Sequence, residues 1–279
     1  MNEYLFNGIL NGFTGRPWSG LRILMAMKTE STLNELAGYA SSLQLGYLSS
    51  HLQEILHQAQ IDNPTYLEFC TTMLKAEVLA RKEREIKRRI KRARLPRNCD
   101  LDKFDFTHSS GMTKHRLGQL RELLWVEQAY NVIFMGPSGT GKTFMASGLI
   151  NDAVKRRMNA MFGTMEEYVR IIRTKDTMPK SMAAYNRILR CQVICIDEIT
   201  LMPLKREEAV AFFNLINALH EKTSIIITTN KAPTEWVEIF GDEALTTAIL
   251  DRILFHCDVI KLDGSSYRMD NRSGFLKEE

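Results

Sequence analysis

Two rhythms of apolar and polar residues run along the 279-residue chain. From about Thr32 to Arg97 the spacing is helical, and from about Asn131 onward short β-branched runs alternate with helix-length amphipathic stretches. Before Thr32 the glycines Gly8, Gly12, Gly15 and Gly20 and Pro17 lie scattered among aromatics, so residues 1–30 sustain neither period and are expected to be a weakly structured extension. Two amphipathic helices are predicted over 32–40 and 47–59. A much longer third helix is expected to open at Asn63-Pro64, where Asn suits an N-cap and Pro the first helical position, and to stop at Pro96. At helical rise, about 31 residues span on the order of 45 Å. In its second half Leu79, Ile86, Ile90 and Ala93 fall on one narrow apolar stripe. Further on come NVIFM, NAMFGT, VICID, SIIITT and DVIKL, separated by helical segments. Such a pattern predicts a five-stranded parallel sheet of the α/β class, buried on both faces. An all-helical domain over 31–97 is thus expected to precede an α/β domain over 98–279.

Composition narrows the class. With 44% hydrophobic and 25% charged residues, the chain fits a globular protein and excludes disordered, collagen-like and disulfide-scaffold readings. No apolar stretch reaches the roughly 18 residues of a membrane span, and the N-terminus lacks the basic start of a signal peptide, so a cytoplasmic location is expected. Five cysteines, Cys70, Cys99, Cys191, Cys195 and Cys257, form no C-x-x-C pair and read as reduced residues rather than zinc ligands.

Charge is more informative than its total of +4. Between Arg81 and Arg97 ten basic residues face two acidic ones, a local +8 that leaves the other 262 residues at −4. Such one-signed charge repels itself unless a polyanion neutralises it, and duplex DNA presents one charge per about 1.7 Å. Arg81, Lys82, Arg84, Lys87, Arg88, Arg89, Lys91, Arg92, Arg94 and Arg97 are the expected phosphate contacts. Neither amides nor aromatics interleave them, so little base preference is expected.

The chemistry centres on Gly136-Pro137-Ser138-Gly139-Thr140-Gly141-Lys142-Thr143, which matches G-x-x-x-x-G-K-[ST]. It follows an apolar strand and precedes a helical run that opens with Phe144, the context a phosphate loop requires. The glycines let backbone N–H groups wrap a phosphate, Lys142 reaches the β- and γ-phosphates of ATP, and the Thr143 hydroxyl holds Mg²⁺. Residues Gly136 to Phe144 are the candidate nucleotide contacts. A second element, VICIDE, ends a strand 55 residues after Lys142. Asp197 is assigned to Mg²⁺ coordination and Glu198 to activation of the attacking water. Asn230, emerging after Thr228-Thr229, either orients that water or senses the γ-phosphate, or else forms a turn. Arg252 and Arg268 are each either surface ion-pair residues or arginines that stabilise phosphoryl-transfer charge.

Taken together, GPSGTGKT, VICIDE, TTN, TEWVEIFGD, AILDR and SYR, in this order, resemble the IstB-like ATP-binding helper proteins of insertion sequences. These are AAA+ P-loop ATPases related to bacterial helicase loaders. Upstream, LDKFDF, the run ending RARLP and YLEFCTTMLKAEVLARKEREIKRR look like that family's helical region, so the resemblance covers about residues 32–270. It implies an ATPase that multimerises on duplex DNA through ATP-bridged interfaces and directs a transposase of the same element to target DNA. By the same resemblance Arg252 would complete a neighbour's site and Arg268 would contact phosphate in cis as a second sensor. Two departures stand out. Ile199-Thr200-Leu201-Met202-Pro203 replaces a Gly-containing turn after the carboxylates, and only eleven residues follow Arg268. The first 24 residues have no counterpart in the family, so Met25 or Met27 is the expected native start. Two other readings are a helicase loader gripping a hexameric helicase, and a nucleotide switch with little turnover.

Overall fold

The computed structural model describes residues 18–97, 99–106, 111–199, 203–264 and 266–267. The chain divides into two compact units, Met1–Glu85 and Ile86–Glu279.

The first unit holds helices α1 (Trp18–Ser42) and α2 (Gly46–Asp62) and the beginning of α3 (Tyr66–Ala93). Helix α1 starts well before the predicted Thr32. Residues 21–27, LRILMAM, are strong helix formers without amphipathic spacing, so propensity supports a helix that periodicity misses. Asn63 does not cap the long helix as expected. It is left-handed (φ 46°) and ends α2, its N–H on the Ala59 carbonyl. The long helix is opened instead by Thr65, whose hydroxyl accepts from the Glu68 N–H (3.3 Å) while the Glu68 carboxylate accepts from the Thr65 N–H (2.9 Å).

At the centre of this unit Glu77, 3% exposed, accepts from the backbone N–H groups of Tyr47 (2.8 Å) and Leu48 (3.1 Å). These donors lie in the first turn of α2, where no intrahelical acceptor exists and the helix dipole favours an anion. Arg84 (2.9 Å) and Arg81 (3.3 Å) bond the other carboxylate oxygen. Burial pushes the Glu77 carboxyl up, but the bonds from Leu48, Tyr47 and Arg81 and the charge of Arg84 outweigh it and hold it below the usual carboxylate value.

The second unit contains α4 (Lys114–Arg121), α5 (Leu124–Glu127), β1 (Asn131–Met135), α6 (Lys142–Lys155), β2 (Ala160–Thr164), α7 (Met165–Thr174), α8 (Pro179–Ile188), β3 (Val193–Asp197), α9 (Arg206–Leu219), β4 (Ser224–Thr229), α10 (Val237–Phe240), α11 (Glu243–Leu254) and β5 (Cys257–Lys261). All five strands are parallel, in the order β2-β3-β4-β1-β5. β3 and β4 are buried along their whole length, as strands covered on both faces must be. Alternate residues feed two cores. Ile133, Ile194, Ile196, Ile225 and Ile227 pack with α7, α8, α9 and α11, whereas Val132, Phe134, Val193, Cys195 and Ile226 pack with α4 and α6. All five cysteines are free, and burial raises the Cys191 thiol to about 12. Among the described residues no helix is long and apolar enough to cross a membrane.

The division between units falls inside α3, after Glu85, rather than near residue 98. The last turns of α3 belong to the second unit because Ala93 is fully buried in the core with Val132 and Phe134. Arg89 anchors the same turns, donating to the carbonyl of Arg157 (2.6 Å) and to Asn159 Oδ1 (3.2 Å).

Candidate functional site

Three parallel strands deliver the site residues to the carboxyl edge of the sheet, with β4 lying between β1 and β3. After β1 the chain turns at Gly136 (φ 153°) so closely that a Cβ there would stand 1.9 Å from the Leu262 carbonyl oxygen. The loop ends at Gly141 (φ 90°), in the left-handed region that glycine adopts freely, and α6 starts at Lys142. Unsatisfied N–H groups of the first turn of α6 therefore meet the loop, a ready anion site. Lys142 Nζ donates to the carbonyls of Gly136 (2.8 Å) and Pro137 (2.6 Å), which keeps the ammonium over the loop.

Thr143 Oγ1 donates to both carboxylate oxygens of Asp197 (3.0 and 3.3 Å) at the end of β3. Thr228, at the end of β4, donates its hydroxyl to Asp197 Oδ1 and accepts the N–H of Glu198 at 2.9 Å. That second bond holds Glu198 in a left-handed backbone conformation (φ 55°). Asp197 is 4% exposed. Burial raises its carboxyl, the hydroxyls of Thr228 and Thr143 lower it, Glu198 raises it and Lys142 lowers it, and the balance is upward. A buried carboxylate beside a threonine hydroxyl is a hard-oxygen pair suited to Mg²⁺, whose charge would relieve the cost of ionising Asp197.

A cleft of about 1020 Å³ opens above these groups. Its floor is the loop from Ser138 to Phe144, and Glu198, Thr228, Thr229, Asn230 and Tyr267 line one side. The connector leading from α3 also lines it, with Pro96, Arg97, Asp100, Lys103, Phe104 and Asp105. The connector is fastened to α6. Leu101 packs on Gly148, where a Cβ would lie 2.3 Å from Leu101 Cγ. Arg121 bridges Asp102 on the connector and Asp152 on α6. Phe104 stands edge-on to Phe106 (4.9 Å) and near Phe144 (6.0 Å).

The predicted nucleotide residues Ser138 to Phe144 thus share one cleft with Glu198 and Asn230, and Asp197 sits behind Thr143. Arg252 does not line that cleft. It lies at the opposite, amino edge of the sheet, in a small recess with Asn131, Thr223 and His256. There it donates to Asn217 Oδ1 and the Ala248 carbonyl (both 2.8 Å) and stacks over Phe213 (4.7 Å). Arg268 lies outside the described residues, as do Thr200, Leu201 and Met202.

The basic run is not one surface. Arg81 and Arg84 are held by Glu77, Arg89 is bonded at the start of β2, and Arg97 is in the wall of the nucleotide cleft. Lys82, Lys87, Arg88, Lys91, Arg92 and Arg94 are exposed. Sequence reasoning missed Thr228 as the link between the Asp197 carboxylate and the Glu198 backbone N–H. The signal was present as a hydroxyl at the end of the strand before Asn230. It also missed the connector as a wall of the cleft.

Residues 38–274 match the family described as IstB-like ATP binding protein. An insertion sequence IS21-like putative ATP-binding protein of Bacteroides fragilis is 48% identical over 88% of this chain and 93% of its own length. The insertion sequence IS21 putative ATP-binding protein of Pseudomonas aeruginosa is 36% identical over 86% of this chain and 91% of its own. Among solved structures, that of DnaI is similar in fold at a TM-score of 0.50 and 16% identity, covering 64% of this chain and 93% of that one. A complete phosphate loop on a five-stranded parallel sheet and a match across most of the chain agree, and the protein belongs to the IstB-like ATP-binding family.

Proposed function

We propose that the protein is a magnesium-dependent ATPase that multimerises on duplex DNA, with little sequence preference, and directs the transposase of its insertion sequence to target DNA. The observation that carries the ATPase reading is the Thr143-Asp197-Thr228-Glu198 chain of hydrogen bonds at the rim of the cleft. It holds the Asp197 carboxylate and the Glu198 backbone N–H beside the phosphate loop, which supports separate tasks for the two acidic residues. Thr143 and Asp197 would hold Mg²⁺, which when bound neutralises charge on the β- and γ-phosphate oxygens. Lys142 binds the same phosphates, Glu198 takes the proton of the attacking water, and Asn230 orients that water. Arg252, at the far edge of the sheet from its own cleft, acts on the nucleotide of a neighbouring protomer, so ATP joins the subunits. Arg268 is retained as the cis phosphate contact.

The exposed cations Lys82, Lys87, Arg88, Lys91, Arg92 and Arg94 supply phosphate contacts, and the names of the relatives support the link to transposition. A protein that acts on the element's own DNA is expected in the cytoplasm, and that location is part of the proposal. The test is Glu198→Gln, assayed for ATP binding, phosphate release and sedimentation with duplex DNA. Loss of a general base lowers turnover by about 10²–10⁴-fold, with ATP binding kept and the protein accumulating on DNA. Turnover at the wild-type rate would refute the assignment, and a wild type without DNA-associated sedimentation would refute the DNA role.

A further inference from the structure

Within the second unit, a further group of cations stands at the amino edge of the sheet, beside the last turns of α3. Asn159 immediately precedes β2 and Arg190 shortly precedes β3, and because the strands are parallel both lie at the edge opposite the nucleotide cleft. Asn159 is the junction. Its Oδ1 accepts from Arg89 of α3 (3.2 Å) and its Nδ2 donates to the Arg190 carbonyl (3.5 Å). Arg89 also donates to the carbonyl of Arg157, which turns left-handed (φ 66°) just after α6. One amide therefore ties the end of the basic helix to the segments carrying Arg157 and Arg190.

Arg157, Lys180, Arg187 and Arg190 are all exposed. No acidic residue occurs between Ala153 and Met165 or between Thr177 and Ile196. At the end of the neighbouring helix α7 the cations differ, since Arg173 pairs with Glu208 (3.6 Å) and Lys175, just after the helix, stacks on Tyr185 (4.5 Å). Cations on that side are matched within the protein, whereas those on α8 and beside Asn159 add to the charge of α3. Like charges gathered from three chain segments around a neutral amide repel one another, and a polyanion removes that cost. Lys180 and Arg187, seven residues apart, lie on one helix face about 10 Å apart along the axis, a reach that spans several phosphates of a duplex.

We infer that, within the second unit, the duplex-DNA surface continues from the last turns of α3 across Asn159, where Arg157, Arg187 and Arg190 contact backbone phosphates. This extends, and rests on, the reading of the basic helix as DNA-binding. Backbone contacts alone are assigned.

The test measures the affinity of full-length protein for a mixed-sequence duplex, by fluorescence anisotropy with ATP present, across a salt series. Four proteins are compared: wild type, Arg187→Ala/Arg190→Ala, the helix variant Lys87→Ala/Arg88→Ala/Arg92→Ala, and Arg206→Ala as a charge-loss control on α9. Each lost phosphate contact lowers the slope of log affinity against log salt by about 0.9, so the double variant is expected to lose up to about 2 and the helix variant up to about 3. Arg206→Ala should keep the wild-type slope, and melting curves should coincide for all four. If the helix variant loses slope while Arg187→Ala/Arg190→Ala matches wild type, the extension is overturned and the helix reading stands. Weaker binding of the double variant with an unchanged slope also overturns it, since phosphate contacts would not be the cause. If wild type binds no duplex, the helix reading falls and the extension falls with it.

Discussion

Thr228→Val isolates the hydroxyl that joins the two acidic residues of the site. Valine keeps the shape and strand preference of threonine in β4, so the backbone there is undisturbed. Two hydrogen bonds disappear, one to the Asp197 carboxylate and one from the Glu198 N–H. Thr228 is 1% exposed, so water cannot replace them. A bond to a charged group and a bond to an amide together contribute about 2–4 kcal/mol. At about 2–4 °C per kcal/mol for a unit of this size, the melting temperature falls by roughly 4–16 °C. The larger consequence is catalytic. Glu198 occupies a left-handed conformation (φ 55°) that its Cβ disfavours, and the Thr228 hydroxyl is the side-chain bond that holds its N–H. Released, the carboxylate shifts, and a displacement near 1 Å lowers kcat by about 10²-fold. KM for ATP changes little because the phosphate loop is untouched. Burial already raises Asp197 and Thr228 is the strongest influence lowering it, so its loss raises the carboxyl further. Proton release from Asp197 then requires higher pH, and the acid limb of the kcat profile moves upward. Steady-state phosphate release across pH measures both effects, and Thr228→Ser should restore them. A Thr228→Val enzyme with wild-type kcat and an unmoved acid limb, or a Ser variant as impaired as Val, would refute the argument.

Two further outcomes concern stability. Glu77→Gln removes the anion from the first turn of α2 and costs the helical unit about 1.5–3 kcal/mol in urea titrations followed by circular dichroism. Because Glu77 is held below its usual 4.5, its contribution is present above that value and disappears as pH falls through the lowered one; an unchanged acid transition in the variant would contradict this. Gly148→Ala would place a methyl 2.3 Å from Leu101 Cγ. Overpacking costs about 1–3 kcal/mol even though alanine suits a helix better than glycine. Adding Leu101→Ala should recover part of that loss, and a double-mutant cycle additive within about 0.5 kcal/mol would show that the two do not touch.

Much of this architecture is legible in the chain because each signal is local. All five strands lie where the apolar runs predict; β3 and β4 are buried along their whole length, as strands covered on both faces must be, whereas β5, at the edge of the sheet, is exposed at Asp258, Val259 and Lys261 and departs from the expected burial on both faces. The phosphate loop is legible because its glycines answer to backbone geometry and its Lys and Thr to phosphate and metal. Less visible were features that depend on distant partners. Helix α1 lacks a period, so only propensity marks its beginning. Asn63 has the composition of a cap for either neighbouring helix, and its left-handed φ, which ends α2, depends on how the turn closes. Thr228 looks like any β-branched strand residue until β3 places Asp197 alongside it.

The charge run shows the limit most clearly. Ten basic residues in 17 positions read as one surface because sequence records proximity along the chain and not the side of the sheet reached. Between Arg89 and Arg97 the chain crosses from the amino edge of the sheet, at Asn159, to the carboxyl edge, at the phosphate loop. Arg89 is spent on backbone and amide acceptors, and Arg97 faces the nucleotide cleft. Residues between them include Ala93, fully buried, so this stretch is core as well as surface. The connector that follows is gripped by packing of Leu101 on Gly148 and by Arg121 between Asp102 and Asp152; Gly148 and Asp152 lie on the helix that begins with Lys142 and Thr143. A shift of the first turn of that helix would reach the connector through packed and charged contacts rather than through a flexible tether.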